Sequence, residues 1–292
     1  MVAQIIDGKK IAQEIKAELA NEVAHLKAKG IIPGLATVLV GEDPASQIYI
    51  KNKLKSCEEV GIYSYHQHLP ADTSEEEVLK LIKELNSDPK IHGILVQLPL
   101  PKHFDEDKIL LAIDPDKDVD GFHPVNVGRF SAKKSIREIE DEKIFLPCTP
   151  YGIIQLIKRS GLTIAGSEAV VVGRSNIVGK PVAMLLLAEN ATVTVCHSGT
   201  KDLGEVTRKA DILVAAIGKA KMITADMVKE GAIVIDVGVN RLPDGEICGD
   251  VDFSAVREKA KAITPVPGGV GPMTIAMLMV NTVKAAKLQL TS

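Results

Sequence analysis

The 292-residue sequence has no tryptophan, and aromatic residues account for only 3% of it. A protein that stacks single-stranded bases on aromatic rings needs more of them, so this class of nucleic-acid binder is disfavoured. Cysteines are also few and widely separated, with no C-x-x-C pair: Cys57, Cys148, Cys196 and Cys248. We therefore expect neither zinc nor a disulfide framework, and we interpret these thiols as buried or idle in a reducing compartment.

Neither sign of charge is in large excess, since 35 Lys and Arg residues stand against 38 Asp and Glu residues. A net charge of −3 at pH 7 gives no general attraction to a phosphate backbone, so we expect no nucleic-acid partner. The one close pair of histidines is His66 and His68, and a surface strand explains it better than a metal site. We expect no metal.

Long hydrophobic runs are absent as well. The longest stretch without a charged residue spans 262–283, and prolines and glycines interrupt its first half. The helix-compatible remainder is too short to cross about 30 Å of hydrocarbon. Asp7, Lys9 and Lys10 interrupt the apolar residues at the N-terminus, which argues against a signal peptide. The sequence predicts a cytoplasmic protein without a membrane segment.

What the sequence does contain is a regular alternation of helix-like and strand-like segments, which predicts an α/β protein. Successive βα units favour a mostly parallel sheet. In the first half, strands are predicted at 35–40, 63–69 and 94–98, and helices at 8–29, from about 45, and at 74–86. Residues 114–130 are predicted to be irregular, and the charged stretch 131–143 to be an exposed loop or a short surface helix.

A second series of βα units occupies about 146–272, and Thr149 and Pro150 are placed to start its first helix. Its strands are predicted at 169–172, 192–196, 212–216 and 233–237. One more amphipathic helix is predicted from Pro272 to Lys287. We infer two α/β domains with a cleft between them, namely 1–145, joined by the C-terminal helix 273–292, and 146–272.

The most informative local pattern is a buried strand that leads into a glycine turn and then a helix, over Ala169 to Pro181. Gly173 would permit the tight turn, and Gly179 would let the helix approach the sheet closely. Such a unit presents free backbone N–H groups and a positive helix end to a phosphate. Its spacing is not G-x-G-x-x-G, so a plain turn is the competing interpretation.

The end of the next strand lacks the acidic residue that binds the ribose of NAD. Ser198 at that point can donate to a phosphate, and Arg174 supplies positive charge close by. A missing acid together with a local cation fits the 2′-phosphate of NADP. The sequence therefore predicts a Rossmann-like domain that prefers NADP.

Four polar residues of the first half are candidates for chemistry. Tyr49 and Lys53 are spaced i,i+4 on one face of a predicted helix, although a solvated lysine beside a packing tyrosine is the commoner meaning of such a pair. Gln97 is predicted inside an apolar strand, where a buried amide needs a partner or a ligand. Asp120 lies at the chain break, where a cleft would open.

These residues belong to a set of motifs that resembles one family in content and order. The motifs are Gly41–Ser46 with Tyr49 and Lys53, Gly93–Pro101, Asp118–Phe122, Leu146–Pro150, the Gly173 turn, and Pro265–Pro272. Over nearly its whole length the chain resembles the bifunctional methylenetetrahydrofolate dehydrogenase/methenyltetrahydrofolate cyclohydrolase family. The stretch 131–143 is longer and more charged than the corresponding family loop, and it carries none of the matched residues.

The resemblance implies oxidation of 5,10-methylenetetrahydrofolate by NADP and hydrolysis of the 5,10-methenyl product to 10-formyltetrahydrofolate. It implies an N-terminal folate-binding and catalytic domain, an NADP-binding domain, and a cytoplasmic homodimer in one-carbon metabolism and purine biosynthesis. By similarity, Lys53 is the central catalytic residue, Tyr49 orients the folate, and Gln97 holds the Lys53 ammonium. Asp120 would bind the pterin ring.

The resemblance also implies further binding residues. Substrate contacts would include Leu98, Pro267 and Gly268. Cofactor contacts would be made by Gly173, Arg174, Ser175, Ser198, Val239 and Thr149.

Three other functions remain open at this point. The first is an enzyme with the dehydrogenase step alone, against which the joint presence of Tyr49, Lys53, Gln97 and Asp120 argues. The second is an NADP dehydrogenase for another small acid, such as an amino acid or a shikimate-type substrate. The third is a non-catalytic module that senses a nucleotide and binds a partner protein.

Overall fold

The chain forms two compact units in a computed structural model that describes residues 2–140, 142 and 144–289. We call the first the six-stranded unit; it comprises residues 1–12, 133–139 and 149–274. We call the second the three-stranded unit; it comprises residues 13–132, 140–148 and 275–292. The cleft expected from the sequence stays a prediction.

Strands and helices alternate through both units. The strands are β1 (Gln4–Ile5), β2 (Gly34–Val40), β3 (Tyr63–Leu69), β4 (Gly93–Val96), β5 (Glu168–Val172), β6 (Thr192–Cys196), β7 (Ile212–Ala215), β8 (Ile233–Asp236), β9 (Asn240–Arg241), β10 (Ile247–Cys248) and β11 (Ala262–Ile263). The helices are α1 (Gly8–Ala28), α2 (Pro44–Val60), α3 (Glu75–Ser87), α4 (Glu106–Leu111), α5 (Pro124–Ser131), α6 (Ile136–Glu140), α7 (Cys148–Arg159), α8 (Gly179–Ala188), α9 (Leu203–Thr207), α10 (Phe253–Arg257) and α11 (Val270–Leu288).

The three-stranded unit is built on a parallel sheet of order β3-β2-β4. All residues of the central strand β2 are buried, as its uninterrupted apolar sequence predicts. Val78, Ile82 and Leu85 form the buried face of α3, and their spacing of four and three matches a helical turn. They pack in one core with apolar residues of β2 and β4.

The six-stranded unit contains a parallel sheet of order β1-β11-β8-β7-β5-β6. Strand β6 lies beside β5 at one edge of the sheet, and the chain then crosses back to place β7 on the other side of β5. The carboxyl ends of β5 and β7 therefore lie at a topological switch point, the usual binding position in sheets of this kind. Both sheets confirm the predicted parallel arrangement.

Two segments differ from the sequence-based predictions. The first twelve residues lie in the six-stranded unit, because Gln4 and Ile5 pair with Ala262 and Ile263. Two residues are too short a run to predict as a strand. The stretch predicted as irregular at 114–130 contains most of α5, because the His123 side chain accepts a hydrogen bond from the Val125 N–H and Pro124 suits the first turn.

The charged stretch 131–143 contains the short helix α6, one of the two alternatives predicted for it, and positions 141 and 143 fall outside the described residues. Helix α11 begins at Val270, two positions before the predicted start, and positions 290–292 of the predicted helix fall outside the described residues. Among the described helices, none has both the length and the apolar character to cross a membrane.

Candidate active site

Lys53 lies in the middle of α2 and is almost completely buried, with 6% of its surface exposed. The helix starts where the Asp43 carboxylate accepts a hydrogen bond from the Ser46 N–H at 2.7 Å, with Pro44 in the first turn. Tyr49 is one turn before Lys53, as predicted, and remains 36% exposed. The ordinary interpretation of Lys53 as a solvated lysine is therefore wrong.

Gln97 holds the buried ammonium group. The Lys53 Nζ donates to Gln97 Oε1 at 2.9 Å, and the Gln97 Nε2 donates to the Leu98 carbonyl at 2.6 Å. The second bond keeps the amide oxygen turned toward the lysine, since an amide has one acceptor and one donor end. Gln97 lies just beyond β4, whereas the sequence placed it inside the strand, and so its side chain extends from the carboxyl edge of the sheet.

The negative charge of Asp120 acts on the buried Lys53. Burial lowers the pKa of Lys53, and the negative charge of Asp120 opposes that shift without cancelling it. Burial likewise raises the pKa of Asp120, although Lys53 opposes the change, and Asp120 keeps a part of its surface exposed. Both groups are thus shifted toward their neutral forms, which favours a role in proton transfer.

A buried carboxylate shapes the loop that carries Asp120. Asp118 is 3% exposed and accepts from the backbone N–H groups of Gly121 at 3.1 Å and His123 at 2.8 Å. Gly121 has φ +76°, and a Cβ there would lie 2.6 Å from the Leu146 carbonyl carbon. Glycine is therefore required at this position, and the loop is tightly constrained.

Cys148 is part of the same group, which the sequence analysis did not predict. Its thiol donates to the Val119 carbonyl at 3.3 Å, and the Asn281 amide donates to that carbonyl at 2.8 Å and to the Leu146 carbonyl at 2.9 Å. Burial and the neighbouring Asp120 raise the pKa of Cys148, so the thiol stays protonated. The only signal in the sequence was its place in the Leu146–Pro150 motif.

In the six-stranded unit, the predicted glycine turn is present at the carboxyl end of β5. Gly173 has φ +132°, and a Cβ there would lie 2.1 Å from the Ala216 carbonyl oxygen after β7. A Cβ at Gly179 would lie 2.3 Å from the Gly173 carbonyl oxygen, so both predicted glycine roles are confirmed. The Ser175 hydroxyl accepts from the N–H groups of Val178 and Gly179, which orders the turn.

The other predicted cofactor residues surround this edge of the sheet. Arg174 is exposed directly after Gly173, Ser198 is exposed after β6, and Val239 is 58% exposed after β8. Because the ends of parallel strands share one edge, these three side chains belong to one surface. Thr149 lies inside the first turn of α7, where its hydroxyl is 2.8 Å from that of Thr274, and the predicted cap is not formed.

Pro267 and Gly268 lie in the loop that precedes α11. The Gly268 carbonyl accepts from the Lys9 N–H at 3.1 Å, and a Cβ at Gly8 would lie 1.8 Å from the Gly269 carbonyl oxygen. Backbone thus packs directly on backbone, so this loop has a defined shape. The structure brings together Lys53, Gln97 and Asp120 in one unit, and Gly173, Arg174, Ser175, Ser198 and Val239 at one sheet edge of the other.

In a comparison with known proteins, two ranges of the chain match the two domains of one family. Residues 6–120 match the domain described as tetrahydrofolate dehydrogenase/cyclohydrolase, catalytic domain, and residues 147–290 match the NAD(P)-binding domain of that description. The chain belongs to the tetrahydrofolate dehydrogenase/cyclohydrolase family. The two-domain α/β fold, with one catalytic and one Rossmann-like NAD(P)-binding domain, is confirmed.

Members of this family resemble the chain over its full length. The "Bifunctional protein FolD" of Moorella thermoacetica is 62% identical over 98% of this chain and all of that protein. The crystal structure of the FolD enzyme from Campylobacter jejuni is 52% identical, with a TM-score of 0.93 over 98% of this chain and 99% of that one. The Trypanosoma brucei FolD structure, described as complexed with NADP cofactor and inhibitor, is 39% identical, with a TM-score of 0.93 and full coverage of both chains.

Proposed function

We propose that this chain oxidises 5,10-methylenetetrahydrofolate to 5,10-methenyltetrahydrofolate with NADP, and then hydrolyses the product to 10-formyltetrahydrofolate. The observation that carries the proposal is the buried Lys53, held by Gln97 and facing the charge of Asp120, in the unit that matches the family's catalytic domain. A lysine that is buried and shifted toward its neutral form is suited to acid–base chemistry. Membership of the family argues against two of the three alternatives that the residues alone left open. The third, an enzyme that lacks the second step, is tested by the assay below.

The glycine turn of the six-stranded unit fits NADP. Gly173 leaves room where a side chain would collide with backbone, and Arg174 and Ser198 are exposed and can bind a 2′-phosphate. Ser175 would hold the turn around the pyrophosphate, and Val239 and Thr149 would complete the cofactor contacts. NADP, when bound, supplies the hydride acceptor of the first step.

The first step needs positioning more than proton transfer. The reacting carbon lies between two nitrogens, so the cation left after hydride loss is stabilised by resonance and no base is required. Tyr49, exposed one turn from Lys53, would pack on the folate, and Asp120 would bind the pterin ring. Leu98, Pro267 and Gly268 would line the substrate region and help to exclude competing water.

The second step is hydrolysis, and here Lys53 would act as acid and base. Water adds to the cationic carbon, and its proton passes to the neutral Lys53 amine. The bond from that carbon to N5 then breaks as the Lys53 ammonium gives its proton to N5, the hydroxyl proton is released to solvent, and the formyl group stays on N10. Gln97 would hold the ammonium form in place between the two proton transfers.

We further propose a cellular setting for this activity. The formyl product would enter one-carbon metabolism and support purine biosynthesis, and the enzyme would act as a cytoplasmic homodimer that binds no nucleic acid. The balanced charge of the chain supports the last point.

A coupled assay tests the proposal. The purified protein is given methylenetetrahydrofolate with NADP or with NAD, and NADPH and the methenyl compound are followed by absorbance. We expect NADPH to form with only transient methenyl absorbance, and NAD to be used less well. Persistent methenyl absorbance would mean a dehydrogenase without the hydrolytic step, and absence of NADPH formation would contradict the whole assignment.

A further inference from the structure

Two buried carboxylates in the six-stranded unit have not been assigned a role so far. Asp236 is the last residue of β8 and is 3% exposed, and Asp250 follows β10 and is fully buried. They lie close to each other, because the Asp250 N–H donates to Asp236 Oδ1 at 2.9 Å. Burying two acidic groups side by side is unfavourable unless their oxygens are well hydrogen-bonded.

Asp250 binds the loop that follows β7. Its carboxylate accepts from three consecutive backbone N–H groups, those of Ile217 at 2.6 Å, Gly218 at 2.9 Å and Lys219 at 2.9 Å. It also accepts from the Asn240 side-chain amide at 2.9 Å. One carboxylate thus joins the loop after β7 to β9, which follows the loop after β8.

Asp236 binds the backbone of two segments, one that follows β8 and one that follows β10. Its carboxylate accepts from the N–H groups of Gly238 at 3.0 Å and Val251 at 2.9 Å, besides that of Asp250. A Cβ at Gly238 would lie 2.2 Å from an Asp250 oxygen, and a Cβ at Gly249 would lie 1.8 Å from an Asp236 oxygen. Backbone and carboxylates therefore pack with no spare room.

The loops held in this way form part of the sheet edge at the switch point. The loop after β7 starts at Ala216, whose carbonyl oxygen lies 2.1 Å from the place of a Gly173 Cβ. The loop after β8 contains the exposed Val239. The carboxylates are buried, and the loops that they bind belong to the proposed cofactor surface.

We propose that Asp236 and Asp250 are positioning residues for NADP, which set the shape of the loops after β7 and β8 through four backbone N–H groups, those of residues 217–219 and 238. The inference rests on the proposed placement of the cofactor at this edge. Neither carboxylate touches the cofactor; they act through the backbone that does. Burial raises the pKa of Asp236 to about 6, so at neutral pH this group is an ionised acceptor.

The test compares NADP binding by Asp250→Asn and Asp236→Asn with a matched control. An asparagine side chain keeps one acceptor oxygen and replaces the other with a donor NH2 group. The loops therefore lose hydrogen bonds, and the new NH2 group lies against backbone N–H donors. The control is Asp211→Asn, because Asp211 accepts a backbone N–H from Glu168 at the opposite, amino edge of the same sheet. NADP affinity is measured by calorimetry, and backbone order by hydrogen exchange.

We expect the dissociation constant for NADP to rise about tenfold or more in both variants, and to stay at the wild-type value in the control. Exchange should become faster at 217–219 and 238 but not within β5. The Michaelis constant for NADP should change far more than the cyclohydrolase rate measured without NADP. Unchanged NADP affinity in folded variants would overturn the inference, whereas failure of the wild-type protein to bind NADP would contradict the proposed function instead.

A milder variant keeps the test decisive if the asparagine variants do not fold. Asn240→Ala removes only the side-chain amide that joins Asp250 to β9 and leaves both carboxylates in place. We expect a smaller rise in the dissociation constant, with faster exchange at the same loops. Wild-type affinity and wild-type exchange in this variant would count against the inference.

Discussion

Both units of this protein bury charged side chains, but they satisfy them in different ways. Among the described residues, the Lys53 ammonium of the three-stranded unit donates to one side-chain acceptor, Gln97 Oε1, and burial lowers its pKa. Asp236 and Asp250 in the six-stranded unit accept from six backbone N–H groups and one side-chain amide. The lysine is held by few bonds, and the carboxylates by many.

The difference fits two uses of buried charge. A group that must gain and lose a proton needs a charged form that is only weakly favoured, so that both protonation states are accessible during the reaction. A group that shapes a loop needs as many bonds as possible, because each lost bond leaves a buried donor without a partner. The four predictions below test this contrast, beginning with the largest expected effect.

Replacement of Lys53 should have the largest effect. We expect Lys53→Met to lower the cyclohydrolase rate by roughly 10²- to 10⁴-fold, because the acid–base group is removed. NADP binding should remain at its wild-type strength. Decay of methenyl absorbance measures the rate, and Lys55→Met, on an exposed position of the same helix, is the control. A wild-type hydrolysis rate in Lys53→Met would remove this residue from the mechanism.

Replacement of Asp236 should change how stability depends on pH. Its pKa rises from 3.8 to about 6 on folding, so between pH 3.8 and pH 6 the folded state holds a proton that the unfolded state has lost. The contribution of this proton to the free energy of unfolding is present in full below pH 3.8 and is lost as the pH rises through 6. At 1.36 kcal/mol per pKa unit the loss is about 3 kcal/mol.

Urea denaturation between pH 4 and pH 7 measures this contribution. The wild-type free energy of unfolding should fall with rising pH relative to that of Asp236→Asn, which lacks the titrating group. Parallel curves for the two proteins would show that Asp236 keeps an ordinary pKa. That result would mean that the backbone N–H groups bound to Asp236 fully offset the effect of its burial.

Arg174 represents a third situation, a charged side chain that is exposed on the surface. We expect Arg174→Ala to raise the Michaelis constant for NADP roughly tenfold to a hundredfold, because a charge-assisted bond to the 2′-phosphate is lost. The constant for NAD should change little, since NAD lacks that phosphate. Steady-state kinetics with both cofactors test this, with Arg257→Ala as an exposed control. Equal effects on both cofactors would refute the assignment.

The smallest expected effect is a shift of a pH profile. The negative charge of Asp120 raises the pKa of Lys53, so Asp120→Asn should lower that pKa further. The rate of hydrolysis should depend on the neutral amine, and its rising limb should therefore move to lower pH. The rate at saturating substrate against pH measures the shift, and Asp107→Asn, on the exposed side of α4, is the control. A profile that stays in place, or moves to higher pH, would contradict the pairing.

Several parts of the fold and the site could be predicted because their signals are local. Apolar runs predict β2 and β5, the spacing of apolar residues predicts α3, and the sequence around Gly173 predicts a turn followed by a helix. Each signal depends on a few neighbouring residues. Helix α5 was missed because its start depends on the His123 side chain and not on an apolar pattern.

The sequence by itself determined the α/β alternation, the i,i+4 spacing of Tyr49 and Lys53, and the positive charge of the arginine that follows the glycine turn. Only the tertiary structure decided that Lys53 is buried against Gln97, 44 positions away, and that Cys148 and Asn281 meet at the Val119 carbonyl. It also decided the pairing of Asp236 with Asp250. The physical reason is that the state of a charged group depends on the water it loses and the donors it meets. Both are set by segments far away in the chain.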